Sequence, residues 1–134
     1  MADAVTSQTL LDGERLAIMK FTNISDGGGE SAVLKVDVSA LANSAAGGAC
    51  DGVTIVKIHA ATYGMGVNIL WDADADVTAF VVAADSAYTY DFTQFGGLTN
   101  NSGTGKTGDI KFTTIGATSG DTYSIILEMV KSYE

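Results

Sequence analysis

The run Gly103-Thr104-Gly105-Lys106-Thr107-Gly108-Asp109-Ile110-Lys111-Phe112-Thr113-Thr114-Ile115 has two readings, and the choice between them sets the fold. A phosphate-binding loop has Gly, four residues, then Gly-Lys-Ser/Thr, and it opens a helix after a strand. Gly105-Lys106-Thr107 supplies that ending, but the first glycine falls due at position 100, which is Asn100. The residues after the turn, Asp109 to Ile115, alternate and are rich in β-formers, so they read as a strand. Phosphate is cradled by N–H groups converging at a helix start. With a strand in that place the cradle is missing. The run is a glycine-rich turn entering a strand, and it points away from nucleotide chemistry.

The same alternation recurs outward from it. Thr122 to Tyr133 sets Tyr123, Ile125, Leu127 and Met129 on one face and Ser124 and Glu128 on the other. Glu14 to Thr22 sets Ala17, Met19 and Phe21 against Leu16, Ile18 and Lys20. Ser31 to Val38 sets Leu34, Val36 and Val38 against Lys35 and Asp37. Residues 39–52 are a loop of small residues with a short helical turn near Ser39–Ala42. In Gly52 to Tyr63, Val56 and Ile58 are expected inward and Lys57 and His59 outward. Gly64-Met65-Gly66 then predicts a hairpin to the strand Val67–Trp71. Val77–Ala83 is a further strand, and Tyr88, Tyr90 and Phe92 alternate in the next, as a core or interface stripe. Phe95 to Gly108 is a long polar loop. The fold class is all-β, a β-sandwich or jelly roll of about eight mostly antiparallel strands, with a closed barrel as the alternative. Residues 1–12 read as an N-terminal arm, ordered only if something holds them, and residues 13–134 as a single β domain.

Composition narrows the function. The chain has 134 residues, enough for one domain with a sizeable core. Its formal charge is −9, from 16 acidic against 7 basic residues. Phosphate binding runs on clustered Lys and Arg, so no nucleic-acid partner is expected. No stretch reaches the roughly 18 apolar residues of a membrane span. Met1 to Gln8 lacks the basic and apolar segments of a signal peptide, so synthesis in a reducing cytoplasm is expected. Cys50 is the sole cysteine, which rules out an intrachain disulfide.

No candidate chemical site completes its pattern, so no catalytic, cofactor-binding or metal-binding residue is assigned and no enzyme activity is expected. Asp72, Asp74 and Asp76 are spaced like calcium ligands, but the sixth and twelfth loop positions, which require Gly and Glu, are Val77 and Ala83. His59 is the sole histidine, and no Gly-x-Ser-x-Gly elbow accompanies it. One His and one Cys cannot anchor a typical zinc site. Glu14 and Glu30 could act as a glycosidase pair only across an aromatic-lined cleft, and there is one Trp.

Several segments do carry a likeness. They are Thr6-Ser7-Gln8-Thr9-Leu10-Leu11-Asp12-Gly13-Glu14-Arg15, Met19-Lys20-Phe21-Thr22-Asn23, Asn68-Ile69-Leu70-Trp71-Asp72, Phe95-Gly96-Gly97-Leu98, Gly105 to Thr114, and Ser119 to Glu128. Together they resemble a family of small virion structural proteins of tailed bacteriophages, particularly phages of marine bacteria. The resemblance implies a capsid decoration, or cement, protein on the outside of the head, partnered by the major capsid protein. A neck or tail component and a host-glycan-binding virion surface protein are the alternatives. Symmetric self-association is expected, because closed oligomers match capsid symmetry axes. A trimer is the form expected by fold-level analogy.

Overall fold

A computed structural model describes residues 4–133. The strands are β1 (Ala4–Asp12), β2 (Leu16–Ile24), β3 (Val33–Val36), β4 (Cys50–Tyr63), β5 (Gly66–Trp71), β6 (Val77–Val82), β7 (Ala87–Asp91), β8 (Ile110–Ile115) and β9 (Thr122–Tyr133). Short 3-10 turns occupy Val38–Ala40 and Thr93–Phe95. Among the described residues no helix is long and apolar enough to cross a membrane.

Two antiparallel sheets face each other. One has the order β1-β2-β9-β4-β7, the other β3-β8-β5-β6. Leaving β1 aside, the other eight strands divide between the sheets as β2-β9-β4-β7 and β3-β8-β5-β6, with β5 and β6 adjacent in one sheet, which is the jelly-roll order of two interleaved Greek keys. The all-β sandwich expected from the alternation is therefore present, with one strand more than the sequence suggested.

The inner faces follow the period-two pattern. In β9, Tyr123, Ile125, Leu127 and Met129 are all buried, and in β2, Ala17 and Phe21 are fully buried. Phe112 of β8 crosses the gap between the sheets. Its ring meets Phe21 edge-on at 5.3 Å and Tyr123 at 5.7 Å. Lys35 Nζ lies 5.8 Å from the Phe112 centroid and 2.5 Å from Glu30 Oε2. Glu30 Oε1 also accepts from the Tyr123 hydroxyl and from Asn23 Nδ2. Lys35 is thus buried with its counter-ion, on a strand where alternation had placed it toward solvent. The pairing makes the burial tolerable, because an unpaired charge there would be costly.

Three further expectations fail for identifiable reasons. First, Ile55 and Ile58 are fully buried while Val56 is only partly so. A bulge at Val56, where Ile55 pairs with Met129 and Lys57 with Glu128, shifts the phase of β4. Second, Gly64–Gly66 is not a hairpin. β4 pairs with β9 and β7, whereas β5 pairs with β6 and β8, so this turn carries the chain from one sheet to the other. Gly64 has φ +78°, and a Cβ there would sit 2.1 Å from Asp121 Oδ1, so the arch requires glycine. Met65, fully buried, plugs the arch. Third, residues 4–12 of the expected arm form a strand. β1 pairs with β2 from Ala4↔Ile24 to Asp12↔Ala17, with Leu10 as an extra, bulged residue. Residues 1–3 of the arm lie outside the described residues.

The hairpin turn is locked to the body by a buried cation. The Lys131 side chain is fully buried, with Nζ 2.6 Å from Asp12 Oδ1 and 2.9 Å from the carbonyls of Gly13 and Ala42.

Candidate functional site

The Gly103–Gly108 turn holds its backbone donors inward. The N–H of Lys106 bonds to Gly103 O, that of Thr107 to Asp72 O, and that of Asp109 to Thr107 Oγ1. A phosphate would find these donors already used. Gly108, at φ +88°, passes so close to β4 that a Cβ would lie 2.2 Å from Asp51 O. Lys106 is exposed and lines a polar cleft of about 500 Å³ together with Asp51, Asn100 and Ser132.

The acidic turn Asp72–Asp76 is spoken for as well. Lys111 Nζ lies 2.7 Å from Asp72 Oδ1 and 3.4 Å from Asp76 Oδ2, and the Thr107 hydroxyl donates to Asp72 Oδ2 at 2.7 Å. Hydrogen bonds from Lys111 and Thr107 hold the Asp72 carboxyl below its ordinary range, and the bond to Asp72 pushes Lys111 up. Among the described residues, no group of three or more His, Cys, Asp and Glu side chains is arranged to hold a metal ion. Lys111 takes the place a cation would need.

His59 has partners the sequence did not reveal. On the outer face of the five-stranded sheet, its Nε2 contacts Glu128 Oε2 and its Nδ1 lies 3.0 Å from Thr89 Oγ1. Acid, imidazole and hydroxyl therefore lie in line across β9, β4 and β7. The connectivity is that of a hydrolytic triad, but the setting differs. Thr89 sits mid-strand, directly paired with His59, with Ile126 on the other side. A triad needs its nucleophile raised on a turn and N–H donors converging on the oxyanion. Here His59 and its neighbours are joined by regular ladder pairing. The line acts as a polar tie across three strands. Beside it runs a shallow groove of about 520 Å³ floored by Ala61, Ala87 and Ile126.

The paired-acid arrangement is absent too. Glu14 caps the Ala45 N–H near the β1–β2 turn, and Glu30 is buried with Lys35 beyond the opposite end of β2. Cys50 is buried, its Sγ 3.4 Å from Gly52 O, and burial pushes its thiol up, which leaves it unreactive.

The features without an internal explanation lie on the surface. Tyr88, Tyr90, Phe80, Phe92 and Phe95 form a run of rings along the side where β6 and β7 face each other, from buried Phe92 to exposed Tyr88 and Phe95. More distinctive is β1, exposed on both faces from Ala4 to Leu11. Val5, Leu10, Leu11 and Ile24, all on this hairpin, are 40%, 47%, 44% and 59% exposed. From Ala4 to Leu11 this edge carries no charge.

No protein-family model and no curated protein matches the chain. Among solved structures, a cupin domain from Bordetella pertussis Tohama I is similar at 10% identity and a TM-score of 0.35, over 98% of this chain and 97% of that one. A likeness at that score carries no functional inference.

Proposed function

We propose that this protein is a structural component of a tailed-phage virion, a decoration protein that binds the outside of the head and joins neighbouring capsid subunits. The observation that carries the reading is the segmental resemblance of the sequence. Its segments map onto β1, β2, β5, β8 and β9, and onto the Phe95–Leu98 loop, which is docked to β4 by paired Ile55–Leu98 backbone bonds. The likeness thus spans both sheets, as a shared fold would require and a borrowed motif would not. Asp72, Asp76, His59, Glu14 and Glu30 are engaged in internal bonds, which supports a role without a chemical step. The acidic charge disfavours contact with packaged DNA and suits an outer surface.

The mechanism is added contact area. Each copy touches neighbouring capsid subunits, and many copies act together, so single contacts can be weak while the shell gains resistance to outward pressure. The protein composition of purified virions tests this. The chain is expected in stoichiometric, multi-copy amounts that stay with the particle through density-gradient purification. Its absence from purified particles would remove the proposal.

A further inference from the structure

We infer that the free edge of β1 pairs antiparallel with β1 of a second copy of this chain, continuing the five-stranded sheet across a two-fold axis. β1 ends its sheet and has β2 as its only substantial neighbour among the described residues. A long, regular, uncharged edge is a template for another strand unless it is shortened, bulged or charged. The other sheet edges carry such protection. β3 has four residues and includes Lys35, β7 ends in Asp91, and β6 is broken by a bulge at Ala79. In β1 the register is unbroken from Ala4 to Thr9, and no charge occurs from Ala4 to Leu11.

The occupant is set by charge and shape. Two copies at −9 each repel, so they can meet closely only along a seam without acids. β1 provides that seam from Ala4 to Leu11, a stretch with no charge to attract a strongly charged partner. With Ser7 opposite Ser7 of the second copy, Val5 meets Thr9, Thr6 meets Gln8, and Ala4 meets Leu10. Ala4 is small and pairs with Ile24 on the next strand. Leu10 of one copy can therefore reach across Ala4 of the other toward its exposed Ile24, and the two-fold repeats the contact. The bulge sets Leu10 and Leu11 together opposite Ile18, which widens the apolar patch. The result is a two-fold dimer in place of the trimer expected by analogy. It is independent of the virion reading, since it concerns the purified protein alone.

Light scattering on the purified full chain across a concentration series tests the pairing. The wild type is expected to reach twice the chain mass of 13.8 kDa. Ser7→Lys, at a position exposed in the monomer, is expected to halve that mass without changing the circular dichroism spectrum, and to remove any concentration dependence of the thermal midpoint. Ser7→Cys is expected to give a disulfide-linked dimer on mild oxidation, because paired antiparallel residues place Cα atoms within disulfide range. Wild type, whose Cys50 is buried, and Ser39→Cys, exposed elsewhere, should stay uncrosslinked. A monomer at every concentration, a dimer unaffected by Ser7→Lys, or equal crosslinking of Ser7→Cys and Ser39→Cys would overturn the inference. Virions that contain the chain while the purified protein stays monomeric would sink the pairing and leave the decoration reading standing.

Discussion

Phe112→Ala is expected to lower the unfolding free energy by about 4 kcal/mol, at the upper part of the range for large-to-small core changes. Phe112 belongs to β8 but is enclosed by the other sheet. It is fully buried and meets Phe21 and Tyr123 edge-on. Its removal takes away apolar burial, two favourable ring contacts and the ring beneath Lys35 at once. The cavity cannot collapse easily, because its walls are strands held in register on both sides. Denaturant titration of the variant measures the loss. Ile115→Ala provides the comparison on the same strand, and since Ile115 is 49% exposed, it should cost under about 1 kcal/mol. Equal effects from the two would mean that Phe112 does not bridge the sheets.

Lys131→Ala is expected to cost about 3 kcal/mol, the lower end of the range for removing one partner of a buried ion pair. The change strips Asp12 of its counter-ion and leaves the carbonyls of Gly13 and Ala42 without their donor. The loss should depend on pH with a definite sign. Burial pushes Asp12 up, but the hydrogen bonds from Lys131 and the Ala42 N–H, with the Lys131 charge, outweigh it and hold the carboxyl below 3.8. Its contribution is present above that ordinary value and fades as pH falls through the folded value. Burial pushes Lys131 down, but Asp12 and Tyr133 outweigh it and hold the ammonium above 10.5. That contribution is present below 10.5 and fades as pH rises through the folded value. The gap between wild type and Lys131→Ala should therefore be flat between these limits and narrow below pH 3.8. A gap that stays constant into strong acid would contradict the clamp. Lys131→Met, which keeps the packing without the charge, should lose less than Lys131→Ala.

The faces of β2 and β9 were legible because their pairing runs without a bulge and the inner face is buried in β9 and mostly buried in β2, where Met19 is partly exposed. The phase of β4 was not, because one inserted residue at Val56 reverses inward and outward from that point. Gly64–Gly66 reads locally as a hairpin turn. Only the competition among strands decides that β4 takes β9 and β7 as neighbours while β5 joins the opposite sheet. β1 was hidden for a different reason. A strand exposed on both faces has no apolar period, so Ala4–Leu11 looks like a polar arm. The partners of His59 had no local signal, since Thr89 and Glu128 lie 30 and 69 residues away along the chain. The same holds for Lys131, whose burial depends on Asp12 and Ala42. The exclusion of a phosphate loop was legible at Asn100 and in the strand pattern after Gly108. In the folded chain the turn is fastened to Asp72 by both the backbone and the side chain of Thr107.

The most direct test of the decoration role is an electron-microscopy map of the intact virion that carries this chain. The expected result is density for the two-sheet domain on the outer surface of the head, repeated over the joints between capsid subunits. Density for it only at the neck or tail, or inside the shell against the DNA, would contradict the proposal.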